Sequence, residues 1–344
     1  MPGKSCQEGT AAMFETQSEA KPEIQPETRK AFVALVDGGQ IAPIDSNRAA
    51  AIAGVFPAGR QWLRFLDVLL LCLGGLALAF SVLLFVAFNW GELGRLARFA
   101  LVEGALLLAF LGYWLAGRET LAGKVALLST GLLLGGLLAL FGQTYQTGAD
   151  PWQLFFVWML LLTPFALIGR FAPLWVLWAV LVNLALTLYF QPTGRFSTEA
   201  YGQLLWVQFA ANGFMLCAWE WLAGRAPWLN QRWAVRLLAM ATLMPLTLRV
   251  VESVFSSSDL WLPAAVFLLA LAIVYGVYRY QRQDLFMLTL AAVSVIAIVV
   301  SLLVKHVVWN FDNSGGVLLM AVTLMAMTTL AVNWLRSVHR GWQV

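Results

Sequence analysis

Residues 66–88 read LDVLLLCLGGLALAFSVLLFVAF. One charge, Asp67, stands near the front, and every residue after it to Phe88 is uncharged. An α-helix rises about 1.5 Å per residue, so a run of this length covers the roughly 30 Å of a bilayer's hydrocarbon core. Similar runs follow at regular intervals, near 96–116, 124–146, 152–168, 172–190, 202–223, 233–251, 261–278, 285–304 and 315–335. Ten spans are therefore expected, joined by turns too brief to hold a folded domain, so that neighbours in sequence pack antiparallel. The fold class is an all-α polytopic transmembrane bundle.

Composition agrees with this reading over the whole chain. Of 344 residues, 60% are hydrophobic and 12% charged. A soluble globular chain carries about 25% charged residues, so too little polar surface is present to coat water-facing domains. A soluble multidomain protein, a disordered chain, a disulfide-rich secreted module and a nucleic-acid binder are all excluded. Cys6, Cys72 and Cys217 form no CxxC pair, and His306 and His339 stand far apart without metal-ligand spacing. No Walker-type or GxGxxG phosphate loop occurs. Neither a metal nor a cofactor is expected.

Ahead of the first span lie 14 charges, seven of each sign. Residues 1–27 read as a disordered cytoplasmic tail. Residues 28–60 read as a cytoplasmic helical hairpin, one helix from Thr28 to Asp37 stopped by Gly38 and Gly39, a second from Asp45 or Ser46 to Val55. The hairpin is too small to stabilise itself by burial and is expected to lean on a partner or the membrane surface. The apolar run begins too far along the chain for a cleaved signal peptide, so the N-terminus is expected to be retained. The transmembrane domain occupies 65–335, and 336–344 is a short cytoplasmic tail.

Orientation follows from the side on which basic residues gather. With the N-terminus inside, the inner flanks hold thirteen: Arg48, Arg60, Arg64, Arg118, Lys124, Arg170, Arg225, Arg232, Arg236, Arg279, Arg282, Arg336 and Arg340. The outer side holds five: Arg95, Arg98, Arg195, Arg249 and Lys305. Both termini are expected in the cytoplasm. Trp and Tyr at span ends, among them Trp90, Trp114, Tyr145 and Trp152, are expected interfacial anchors.

Polar groups inside the spans are costly and therefore informative. Glu103 lies about seven residues into the second span. Gln143 and Tyr145 stand at the outer end of the third span, and Asn183 lies in the outer half of the fifth. Each amide alone reads as glue between helices, but the shared depth of Glu103, Gln143, Tyr145 and Asn183 predicts one outward-facing polar pocket. Gly148 permits a tight turn, and Asp150 with Pro151 starts the next helix as N-cap and first residue. Gly131 and Gly135 form a GxxxG read as packing, and Asn212 reads as packing glue. Glu220 is placed to pair with Arg236 across a cytoplasmic turn, and Arg249 with Glu252 as a surface ion pair.

Three stretches resemble a known family: LVDGGQIAPIDSNRAAAIAGVF (35–56), FNWGELGRLARFALVEGALLLAFLGYW (88–114) and GQTYQTGADPWQLFFVW (142–158). Together they resemble the bacterial predicted membrane proteins grouped as domain of unknown function 2157. The most specific part is GQxYxxxxDP, here Gly142, Gln143, Tyr145, Asp150 and Pro151. The resemblance implies a multi-pass protein of the bacterial inner membrane, and membrane or periplasmic protein partners besides the lipid bilayer. It brings no catalytic residues.

Two functions remain open. A carrier or flippase-like protein would pass a small solute or lipid-linked molecule through the outward pocket. A non-catalytic scaffold or subunit of an envelope complex would use the spans as a platform. An intramembrane enzyme is not expected, since no serine–histidine pair, GxGD motif or metal cluster is present.

Overall fold

The computed structural model describes residues 26–42, 45, 49–50, 59–146, 148–190, 197–256, 259–308 and 313–342. Eleven helices run through them: α1 (Pro26–Asp37), α2 (Gly59–Phe88), α3 (Arg95–Ala116), α4 (Leu121–Tyr145), α5 (Pro151–Gly169), α6 (Ala172–Phe190), α7 (Thr198–Ala223), α8 (Arg232–Phe255), α9 (Trp261–Gly276), α10 (Leu285–Leu303) and α11 (Asn313–Gly341). Wide π-type turns prolong α9 over Val277–Gln281 and α10 over Val304–Val308. No strand occurs among the described residues.

Nine of these helices are long and apolar enough to cross a membrane. The exception among the long ones is α7, 26 residues in length. Gln203, Gln208, Asn212 and Glu220 dilute its apolar character.

The chain falls into two units, one up to Gly74 and one from Gly75 to Val344, with the break inside α2. In the first unit α1 ends where the sequence places its stop, with Gly39 at φ +69°, a left-handed conformation that glycine adopts without steric cost. Val33 and Leu35 on α1 are exposed. The expected second helix of the hairpin lies mostly outside the described residues, as does the N-terminal tail.

In the second unit, sequential helices pack as neighbours: α3 with α4, α4 with α5, α5 with α6, α6 with α7, and α7 with α8. Helix α8 is also central to the later part, touching α6, α9 and α10, while α11 packs on α10. Short connections make successive helices antiparallel. One end of the bundle therefore collects the starts of α3, α5 and α7 and is called the Pro151 end. The other collects the starts of α4, α8 and α10 and is called the Arg232 end.

Close packing is set by small residues. A Cβ on Gly135 would meet the Trp158 ring at 2.3 Å, one on Gly131 would meet Leu162 at 2.6 Å, and one on Gly136 would meet Leu83 at 2.2 Å. The GxxxG of α4 is thus a seat for side chains of α5. The Trp158 indole fixes that seat by donating to the Gly131 carbonyl at 2.8 Å. Among α4 residues, Leu127, Thr130 and Leu133 are buried. Peripheral helices bury far less, so α2, α3 and α11 present mostly exposed apolar side chains.

Candidate functional site

The turn between α4 and α5 carries the GQxYxxxxDP residues. Helix α4 ends with Gln146 in the left-handed region at φ +44°, and Gly148 follows at φ +65°. Asp150 occupies the N-cap position of α5 with Pro151 behind it, as the sequence predicts, but its side chain makes no capping hydrogen bond. The Asp150 side chain is exposed. Around it lies a concavity of about 550 Å³ with Gly142, Gln143, Gln146, Asp150 and Gln153 on its walls.

A neighbouring hollow lies beside that concavity. A second hollow of about 340 Å³ runs between α4, α5 and the Phe80–Leu83 part of α2, walled by Leu132, Gly135, Phe155 and Trp158. The two share Ala139, Pro151 and Leu154. A mouth bearing amides and one carboxylate thus lies next to an apolar groove. Gly135 and Gly136 line it where the Trp158 ring and the Leu83 side chain come close to the α4 backbone.

No described cavity holds all four of the residues expected to share one pocket. Gln143 lines the mouth with Gly142, Asp150 and Pro151. Tyr145 turns away from it, 51% exposed, its ring against Phe141 and Phe99 and under the Arg95 guanidinium at 5.6 Å. Asn183 lies in a separate groove of about 380 Å³ with Thr187 and Asn212, which has no residue in common with the mouth. Glu103 is exposed on α3 and lines neither space. Rotation about the helix axis separates the side chains of Gln143, Tyr145, Asn183 and Glu103.

Asn183 is instead half of an amide pair. Its Nδ2 donates to Asn212 Oδ1 at 2.8 Å, and Asn212 Nδ2 donates back to Asn183 Oδ1 at 2.7 Å. One turn along, Gln208 Nε2 donates to Thr187 Oγ1 at 3.0 Å. Asn212 is fully buried. Both asparagines also bond a carbonyl of their own helix, so the pair is saturated and acts as a clasp between α6 and α7.

An ionic cluster at the Arg232 end was only partly foreseen. Glu220 does not pair with Arg236. It accepts from Arg232 at 3.2 Å and from the Tyr278 hydroxyl at 3.0 Å, with Arg282 at 3.8 Å. Arg236 turns to Asp284 at 3.2 Å, which Arg232 also contacts at 2.7 Å. Asp284, 4% exposed, additionally accepts the Phe286 amide as N-cap of α10. Burial opposes ionisation of Asp284, but hydrogen bonds from Arg232 and Arg236 outweigh it and hold the carboxyl below the usual carboxylate range. The sequence signal was Arg232 itself, four residues before Arg236 and hence on the same helix face.

At the Pro151 end, Arg249 pairs with Glu252 and bonds Ser253. This is not a surface pair, since both charged side chains are largely enclosed. Lys305 reaches across from α10 to the Val254 carbonyl. Among the described residues no three His, Cys, Asp or Glu side chains converge as a metal site would require.

With nine membrane-length helices and an all-helical described chain, this is a multi-pass membrane protein. Residues 34–175, a stretch that contains the α4–α5 turn, match the model of the family described as predicted membrane protein (DUF2157). No curated protein and no solved structure matches the chain.

Proposed function

We propose that the protein binds an amphiphile at the α4–α5 hairpin, its polar head in the mouth beside Gln143 and Asp150 and its tail in the groove beside Trp158. The adjacency of the mouth and the groove, which share Ala139, Pro151 and Leu154 as walls, carries this reading. Amides and a carboxylate, with no basic side chain on the wall, suit a hydroxyl-rich head such as a glycolipid's better than a phosphate. In this reading the protein is a flippase-like carrier of a lipid-linked molecule and not an enzyme.

The same reading places the chain in the bacterial inner membrane with ten crossings, α7 included, and both termini in the cytoplasm. The thirteen-to-five distribution of basic residues supports that orientation. It puts the mouth at the outer leaflet, where a lipid head would lie. Arginines stacked on rim tryptophans, Arg118 over Trp114 at 4.0 Å and Arg225 over Trp221 at 3.6 Å, fit cytoplasmic interfacial anchors.

The test is photolabelling in nanodiscs with an alkyl glucoside bearing a diazirine in its tail. The expected result is labelling concentrated in peptides spanning 138–158, reduced several-fold by Ala139→Phe, which fills the shared wall, and by Gln143→Ala with Asp150→Ala. Equal labelling of the Ala139→Phe protein, or an alkyl phosphate of the same chain length labelling more strongly, overturns it.

A second reading, as a non-catalytic subunit of an envelope complex, is favoured by one observation: the exposed position of Glu103 within α3.

A further inference from the structure

Helix α3 packs Phe99 and Val102 with Leu137 and Leu140 of α4 and leaves another face bare. Leu96, Leu107, Leu111 and Leu115 are exposed along that face, and Glu103 is exposed among them. The spacing of three and four residues makes it one continuous stripe on a helix of membrane-crossing length. Glu103 has neither an ion pair nor a hydrogen bond among the described residues. Eight residues in from Arg95, it stands about 12 Å along the helix, too deep for a short carboxylate side chain to reach interfacial water.

A carboxylate held at that depth against lipid is strongly disfavoured, and such groups occur where something pairs with them. The chain's own cations do not serve. Arg98, nearest in sequence, is bound to the Trp90 and Leu93 carbonyls and lies over the Trp90 ring at 4.0 Å. Arg95 lies over Tyr145. Deeper basic residues in the later helices are engaged too: Arg236 with Asp284 and Arg249 with Glu252. A second copy of this chain therefore brings no exposed, uncommitted cation to that depth among its described residues.

We propose that the Glu103 face of α3 docks a transmembrane helix of a different membrane protein, which presents an arginine or lysine to Glu103. Apolar side chains on either side of the carboxylate supply close packing, and the ion pair sets depth and rotation. This surface is separate from the α4–α5 groove, so either can fail without the other.

The experiment uses the full chain in its native membrane. A photo-crosslinking amino acid replaces Leu107, 65% exposed and one turn from Glu103, and a control probe replaces Leu330 on α11. The expected result is a Leu107 adduct with one membrane protein, mapped to a span holding an arginine or lysine. Adduct yield should fall about ten-fold with Glu103→Leu, and equally when the partner's basic residue is made leucine. Purified Glu103→Leu protein should melt no lower than the wild type, which separates docking from folding. Adducts only with lipid or with a second copy overturn the proposal. So do the absence of any adduct, an adduct shared with the Leu330 probe, a mapped span without a basic residue, or a yield that Glu103→Leu leaves unchanged.

Discussion

Asn183 and Asn212 show what a saturated amide pair does inside a bundle. Each side chain donates to and accepts from the other, and each keeps a second bond to its own helix. Removing one partner leaves the other buried with unmet capacity, whereas removing both leaves an apolar contact. Asn183→Leu is expected to destabilise by roughly 1–2 kcal/mol, and Asn183→Leu with Asn212→Leu to recover most of that. Thermal unfolding in detergent measures both. A double variant whose loss equals the sum of the two single losses would show that the pair is not coupled. Only half of this arrangement could be read from sequence. Position along a helix gives depth, so both residues were assigned to the membrane interior. Partner choice depends on helix rotation at about 100° per residue, and two residues 29 apart in the chain carry no record of it. The same gap sent Glu103, Gln143 and Tyr145 to a common pocket when their helices turn them in three directions.

At the scale of elements, the apolar runs located the long helices well. The run at 172–190 coincides with α6, and 96–116 differs from α3 by one residue. Differences collect at the ends. Helix α2 begins at Gly59, several residues before the apolar run, and α11 continues to Gly341 beyond residue 335. Backbone hydrogen bonding does not stop where hydrocarbon stops, so hydropathy marks the middle of a helix and not its terminus. The π-type ends of α9 and α10 had no signal in composition. Packing between elements was legible for α4 in kind but not in detail. GxxxG indicated close approach, yet the residue that approaches is a tryptophan side chain. Gly135→Ala places a methyl group at 2.3 Å from a ring that is hydrogen-bonded in place. The cost expected for this overpacking is about 1–3 kcal/mol, measured as a lower unfolding midpoint. Ala at 142, where no atom lies within 4 Å of the added methyl group, should leave the midpoint nearly unchanged.

Across the whole molecule, charge is unevenly placed. The ion pairs among the described residues whose carboxylate is largely enclosed all lie within the stretch from α7 to the start of α10. From α2 to α6 the one ion pair among those residues is Lys124 with the exposed Glu119. Asp284 makes the asymmetry measurable. Its folded pKa lies below that of an unfolded aspartate, near 3.9. Its stabilising contribution is therefore complete above about pH 4 and is lost as pH falls through the lower folded value. Unfolding followed from pH 7 to pH 3 should show a loss of stability in the wild type that is much smaller in Asp284→Asn, which retains the helix cap but is already weakened at neutral pH. Parallel pH curves for the two proteins would remove Asp284 from the account.

The α4–α5 hairpin, held by an indole seated on bare glycine, contains no comparable titrating contact. Protons and added salt act on α7–α10, while side-chain volume and lipid composition act on the hairpin. Acid and salt are therefore expected to shift the unfolding midpoint chiefly through the α7–α10 ion pairs, and core volume chiefly through the hairpin.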